Sequence, residues 1–134
     1  MPVGYMLDTN TSSYIIKGNV PAVRQRLARV PMAQVFVSSI TEGELRYGVA
    51  RRPQAATLQQ IVHEFLLRVT ILAWDSEAAQ EYGALRAGLE RSGQPMGNLD
   101  MMIAAHALAA GATLVTNDRV FARIKKLKLE NWTV

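Results

Sequence analysis

Short apolar runs alternate along this chain with longer stretches in which apolar residues recur every three or four positions. The runs predict strands at residues 3–7, 35–37, 69–73 and 113–115, with a last short strand near 128–131. The longer stretches predict helices at residues 11–17, 22–29, 40–49, 54–67, 76–91, 99–110 and 118–124. This alternation is typical of βαβ units. The sequence therefore predicts one α/β domain over residues 1–134, with a parallel twisted sheet of four to five strands between helices (α/β/α).

Composition narrows the class of protein. Apolar residues make up 49% of the chain, and cysteine is absent, which excludes disulfides and thiolate metal sites. The N-terminal run turns polar at Asp8, and no apolar run approaches the length of a membrane span. We therefore expect a cytoplasmic protein with no membrane partner.

The charge balance favours a polyanionic partner. The chain has 15 basic and 11 acidic residues, a net charge of +4, and five of the bases lie between residues 119 and 128. A basic body suits a substrate rich in phosphates. Ordinary solvated lysines and arginines produce the same balance, so charge alone does not decide the matter.

Two aspartates lie where strands end. Asp8 follows the first strand, and Asp118 follows the strand that ends near Thr116. Parallel sheets place ligands outside the carboxyl ends of their strands, so we expect both acids at one edge. Each of them also suits the N-cap of the next helix. The same is true of Asp75, which remains a candidate for either role.

Two neighbouring glutamates have different expected roles. Ser39 and Glu42 fit the S-x-x-E capping box, and Glu42 is also spaced to pair with Arg46. Glu44 points to nearly the opposite side of the same helix, on a face shared with Tyr47 that we expect to look inward. An inward carboxylate is costly unless a cation compensates it. Glu44 is therefore the candidate ligand.

Asp100 lies in the first turn of an apolar helix, for which Asn98 is the expected N-cap. The acid could simply stabilise the helix dipole, although its apolar neighbours favour a buried role. Hard divalent cations take oxygen ligands, so the carboxylates together predict a metal site. Its members are Asp8, Glu44, Asp100 and Asp118.

The motifs around these acids carry a family resemblance. They are Leu-Asp-Thr-Asn at 7–10, Ser-Ser-Ile-Thr at 38–41 leading to Glu-Leu-Arg-Tyr-Gly at 44–48, Asp100 ahead of Ile-Ala-Ala-His-Ala at 103–107, and Thr-Asn-Asp at 116–118. In this order, over essentially the whole chain, they resemble the PIN-domain family, and more narrowly the VapC toxins of bacterial type II toxin–antitoxin pairs. The terminal Glu-Asn-Trp at 130–132 is also similar to that subgroup.

The resemblance implies a Mg²⁺-dependent endoribonuclease, with Mn²⁺ as a possible substitute. Asp8, Glu44, Asp100 and Asp118 would be the catalytic and metal-binding acids, with Asp118 at the family's least uniform position and Thr116 as a supporting hydroxyl. The implied substrate is structured RNA, often tRNA, cut to inhibit translation. The implied partners are a VapB-like antitoxin that covers the active groove, a second copy in a homodimer, and operator DNA through the antitoxin complex alone.

The residue types fit this chemistry independently of the resemblance. Hydrolysis of a phosphodiester needs an acidified water and neutralised phosphate charge, both of which bound Mg²⁺ supplies. Clustered acids repel one another, so at least one pKa should rise without metal. We expect His63 and His106 to be structural. Tyr14, Tyr47 and Trp132 are candidates to stack on RNA bases, but we expect them to pack in the core. Candidate phosphate contacts are Arg86, Arg91, Arg119 and Lys125.

Two alternatives remain open from the sequence. The run that begins at Asp8 superficially resembles the D-x-D-x-T motif of haloacid-dehalogenase phosphatases, with Asp8 as nucleophile. Asn10 replaces the second acid of that motif, and Glu44 would have no task. The other alternative is a non-catalytic dimeric interaction domain that binds DNA with a partner. A merely structural domain gains little from keeping four acids together, which argues against this second alternative.

Overall fold

Five short strands form a single parallel sheet in a computed structural model that describes residues 4–134. The strands are β1 (Tyr5–Leu7), β2 (Val35–Ser38), β3 (Thr70–Leu72), β4 (Thr113–Val115) and β5 (Leu129–Glu130). Their spatial order is β3-β2-β1-β4-β5, and every neighbouring pair is parallel. The predicted parallel α/β architecture is confirmed, with five strands. The predicted start of the first strand at residue 3 lies outside the described residues.

Six α-helices cover the sheet. They are α1 (Thr9–Lys17), α2 (Pro21–Ala28), α3 (Ser39–Ala50), α4 (Ala56–Arg68), α5 (Ser76–Arg91) and α6 (Asn98–Ala110). Short 3₁₀ segments lie at Met32–Gln34 and Arg119–Arg123. None of these helices is long and apolar enough to cross a bilayer, a finding that covers residues 4–134.

The prediction of an ordinary helix over residues 118–124 is wrong, because this segment forms a 3₁₀ helix at Arg119–Arg123. The reason lies in the spacing of its buried side chains. Phe121, Ile124 and Leu127 are all buried and recur every three residues. That period matches the three residues per turn of a 3₁₀ helix rather than the 3.6 of an α-helix.

Two hydrophobic cores lie on opposite faces of the sheet. Neighbouring residues of a strand point to opposite faces, so Met6 packs into one core and Leu7 into the other. The first core holds α5, α6 and the segment around Phe121, and the second holds α2, α3 and α4. All-parallel sheets are stable only with both faces covered.

The centre of the sheet positions the acidic residues. The chain adds β2 and β3 on one side of β1 but places β4 on its other side, so the strand order reverses between β1 and β4. Leu7 is paired in register with Val115, and the Asp8 amide donates to the Val115 carbonyl at 3.1 Å. Asp8 and Thr116 therefore leave neighbouring strands together, at the point where α/β sheets bind ligands.

Candidate metal centre

Asp8 is both a helix cap and a member of the site. Its side chain is 4% exposed, and Oδ1 accepts a hydrogen bond from the Thr11 amide at 2.8 Å as the N-cap of α1. Burial raises the pKa of Asp8, the hydrogen bonds from Thr116 and Thr11 lower it, and the charge of Asp118 raises it. The cap interpretation of Asp8 is therefore confirmed, and its role as a metal ligand stays a prediction.

Thr116 and Asp118 are joined to each other on the loop after β4. The buried Thr116 hydroxyl accepts a hydrogen bond from the Asp118 amide at 3.0 Å. Asp118 is exposed, and its Oδ1 accepts from the Val120 amide at the start of the 3₁₀ segment. The Asn117 side chain donates to the Tyr14 hydroxyl at 3.1 Å, which connects this loop to α1.

Glu44 reaches the site through Thr9, a residue that sequence reasoning did not single out. The Thr9 hydroxyl donates to Glu44 Oε1 at 2.5 Å. Because Thr9 directly follows Asp8, this hydrogen bond connects the first turn of α1 to the middle of α3. The signal was present in the sequence, since Thr9 lies within the same motif as Asp8.

The capping box predicted for Ser39 and Glu42 is wrong. Helix α3 is capped one residue earlier by Ser38, whose Oγ accepts from the Ile40 amide at 3.1 Å. Ser38 has the extended backbone of the last strand residue, so its hydroxyl is placed to cap, while the Ser39 hydroxyl accepts from the Trp74 amide. The predicted pair of Glu42 with Arg46 is present at 2.8 Å.

Asp100 is half-buried in the first turn of α6. The N-cap of this helix is Gly97 and not the expected Asn98, because the Gly97 carbonyl already accepts the first helical bond, from Met101. Burial raises the pKa of Asp100, and the charges of the other three acids raise it further, in the order Asp118, Glu44 and Asp8. The fold therefore brings the other three carboxylates within electrostatic range of Asp100.

No Lys, Arg or His within residues 4–134 forms an ion pair with this cluster. The ion pairs of residues 4–134 involve Glu42, Glu81, Glu90 and Glu130, and none of the four site acids. Within the same range, no three Asp, Glu or His side chains are close enough to enclose a metal ion. Mg²⁺ is usually held by one or two carboxylates while keeping several waters. The donors fit an ion bound partly through water.

A groove of about 720 Å³ opens beside Glu44, between α1, α3 and α4. Tyr47 lines it and is 65% exposed, so the expectation that Tyr47 packs in the core is wrong. Gly43 and Gly48 explain the open space, because neither carries a side chain and a Cβ there would meet nothing within 4 Å. This face of α3 therefore looks into a groove rather than into the core.

Of the other candidates, Asp75 and His106 make structural contacts. Asp75 caps α5 by accepting from the Ala78 amide at 3.1 Å. His106 is buried, its Nδ1 lies 2.8 Å from the Ser38 hydroxyl, and burial lowers its pKa against the opposing charge of Asp75. His63 is exposed on α4. Trp132 is 1% exposed, which confirms that it packs in the core.

Comparison with known proteins identifies the family. The PIN domain model matches residues 5–127, so the chain belongs to the PIN-domain family. The tRNA(fMet)-specific endonuclease VapC of Salmonella typhimurium is 38% identical to this chain over 129 residues. Ribonuclease VapC2 of Rickettsia felis is 39% identical over 130 residues. Each alignment covers 96% of this chain and 97% of the relative. The structure of DNA-bound VapBC from Salmonella typhimurium superposes with a TM-score of 0.91 at 37% identity, over 98% of this chain and 99% of the other. Within its family the chain falls among the VapC-type proteins.

Proposed function

We propose that this chain is the endoribonuclease toxin of a VapBC-type toxin–antitoxin pair, a hydrolase that cleaves structured RNA in a Mg²⁺-dependent reaction. The observation that carries the proposal is the cluster of four carboxylates with no basic partner in residues 4–134, in which three acids raise the pKa of the fourth, Asp100. Such a cluster is costly unless a cation binds it. The relatives from Salmonella, named as a tRNA(fMet)-specific endonuclease, and from Rickettsia, named as a ribonuclease, support the assignment to RNA.

Each residue of the proposed site has its own role. Asp8, Asp100 and Glu44 would hold the ion directly or through water, and Asp118 would complete the set of ligands. When bound, Mg²⁺ or Mn²⁺ acidifies a water and neutralises charge on the scissile phosphate. The Thr116 hydroxyl orients the Asp8 carboxylate, and the Thr9 hydroxyl holds Glu44 toward the site. Fixed donors of this kind cost no reorganisation during the reaction.

The partner proposed for the 720 Å³ groove is a segment of a VapB-like antitoxin. The groove adjoins Glu44 and is lined largely by apolar side chains, including Ile16, Leu58 and Leu99. A partner lying there would cover the approach to the acids. Structures of relatives in VapBC complexes, some bound to DNA, support a toxin that reaches operator DNA through its antitoxin. We include homodimerisation and tRNA as the substrate in the same proposal.

The family match and the contact of Glu44 both argue against the phosphatase alternative. Membership of the PIN-domain family accounts for the motif around Asp8 without a phosphoaspartate. Glu44, which would have no task in a phosphatase of that kind, accepts a hydrogen bond from Thr9 beside Asp8. The non-catalytic alternative is addressed by the experiment that follows.

The test is cleavage of total RNA by the purified protein, with Mg²⁺ or with EDTA. The Asp8→Asn variant removes the charge but keeps a residue that caps helices as well as Asp does. Asp75→Asn is the matched control, because Asp75 is also a helix cap and lies outside the site. We expect site-specific cleavage by the parent and by Asp75→Asn in Mg²⁺ alone. Cleavage in EDTA, or by Asp8→Asn, would overturn the proposal.

A further inference from the structure

A second, basic groove lies on the opposite side of the molecule from Tyr47. It is about 420 Å³ in volume and runs between the C-terminal half of α5 and residues 123–126. Its apolar floor contains the buried residues Leu85, Leu89 and Ile124, and its rim carries Arg123, Lys125 and Lys126. No acidic residue lines it.

The rim is basic because of the three-residue period of the segment after Asp118. Phe121, Ile124 and Leu127 point into the core, which leaves the intervening side chains in solvent. The exposed set contains all five bases of the segment, namely Arg119, Arg123, Lys125, Lys126 and Lys128. The burial pattern that produces the 3₁₀ turn thus also concentrates positive charge on one surface.

The nearby acids do not neutralise this surface fully. Glu81 pairs with Lys126 at 3.5 Å, and Glu90 pairs with Arg86 at 3.1 Å. Lys125 and Arg91 are exposed and form no ion pair within residues 4–134. Arg91 lies beside the groove, because its Nη2 is 4.0 Å from the position that a Cβ on the lining residue Gly88 would take. Arg123 on the rim also forms no ion pair within residues 4–134, although it donates to the Pro95 carbonyl. A polyanion there would therefore meet Lys125 and Arg91 as cations with no acidic partner.

One contact connects the groove to a chain segment that carries an acid of the predicted metal centre. Arg123, which lines the groove, donates to the Pro95 carbonyl at 2.6 Å, in the loop that leads into α6 and Asp100. Along the chain, the basic segment also begins directly after Asp118, at Arg119.

We propose that this groove, with Lys125 and Arg91 as its cations, binds the phosphate backbone of the RNA substrate away from the cleaved bond. The inference rests on the proposed ribonuclease function. Lys and Arg contacts to phosphate position a nucleic acid without reading its sequence. The groove would therefore hold flanking RNA in register, while the choice of cleavage site is made elsewhere.

The test uses an Arg91→Gln, Lys125→Gln double variant. Its matched control is Arg29→Gln with Arg68→Gln, which removes the same charge from two exposed cations, one at the C-cap of α2 and one at the end of α4, across the sheet. RNA affinity is measured in the Asp8→Asn background with EDTA, over a range of salt. Losing two phosphate contacts on single-stranded RNA should reduce the slope of log K against log salt by about 1.4. When the salt falls from 1 M to 0.1 M, the affinity of the variant should therefore rise about 25-fold less than that of the parent.

Cleavage assays separate the two proposals. If the parent cleaves RNA, the groove variant should show a raised KM with kcat unchanged, and should match the parent on an oligonucleotide too short to reach the groove. An unchanged salt slope, or a loss equal to that of the control, would overturn the groove assignment while leaving the nuclease intact. Weakened binding of the antitoxin with unchanged RNA affinity would also overturn it. Absence of any parental cleavage would instead refute the proposed function.

Discussion

At the scale of single residues, the site is built from side chains that also perform structural work. Asp8 caps α1 while its carboxyl group is buried beside Thr116. Thr9 links α1 to α3 by donating a hydrogen bond to Glu44. Each of these hydrogen bonds at the start of α1 therefore also fixes the orientation of a carboxylate. This overlap is the reason that a cap and a ligand could not be distinguished one residue at a time.

We predict that Asp8→Asn stabilises the metal-free protein at neutral pH. Burial raises the folded-state pKa of Asp8 above its ordinary value of 3.8, so the ionised carboxylate destabilises the fold above that folded pKa. The cost disappears as the pH falls toward 3.8. In EDTA at pH 7, the variant should therefore unfold at a higher Tm than the parent, by roughly 4 °C for each kcal/mol of added stability. The Tm values of the two proteins should converge in acid. A variant less stable than the parent at pH 7 would contradict this.

A second prediction concerns Thr9, whose substitution should weaken metal binding without unfolding the protein. Thr9→Val keeps the shape of the side chain but removes the donor to Glu44. Hydrogen bonds to charged groups contribute about 1.5–3 kcal/mol, so we expect Mg²⁺ affinity to fall at least tenfold, as measured by calorimetry without RNA. Thr9→Ser retains the hydroxyl and should restore the affinity. Equal affinities for the valine and serine variants would show that Thr9 only packs.

At the scale of elements, two helices are held to the sheet edge by a buried polar contact. His106 of α6 contacts the hydroxyl of Ser38, which itself caps α3 by accepting from Ile40. The contact joins the helix that carries Asp100 to the helix that carries Glu44. A neutral imidazole serves this purpose well, since a buried charge would need a partner.

We predict that His106 makes the fold sensitive to mild acid. Burial lowers its folded-state pKa below the ordinary 6.5, so its contribution to stability is complete above pH 6.5 and is lost as the pH falls from there toward the folded value. The loss is at most about 1.4 kcal/mol per pH unit for one proton. Urea unfolding between pH 5 and 7.5 should show this slope in the parent and in His63→Asn, whose histidine is exposed. The same slope in His106→Asn would refute the assignment.

At the scale of the whole molecule, the sequence was sufficient for the sheet and for the edge that carries the acids. Both follow from apolar runs that end at Asp8 and Thr116, which the parallel pairing brings together. Tyr47 could not be placed, because whether a helix face meets core or solvent depends on how α1 and α4 pack against α3. The cap at Ser38 was missed because the strand continues one residue beyond the apolar run, to Ser38, and the helix begins directly after it at Ser39.

The last prediction concerns the surface that contains Tyr47. In the proposed toxin–antitoxin complex, this 65% exposed aromatic ring is the natural anchor for an apolar antitoxin segment, because large side chains in grooves dominate binding energies. Tyr47→Ala should weaken the complex by at least about 30-fold, the equivalent of 2 kcal/mol, in calorimetry with the cognate antitoxin. Leu67→Ala is the control, since Leu67 is 72% exposed on α4 outside the groove. RNA cleavage by the free toxin should be unchanged in both variants, because neither residue belongs to the acidic centre. If Tyr47→Ala binds the antitoxin as tightly as Leu67→Ala does, the antitoxin lies elsewhere and the groove has another occupant.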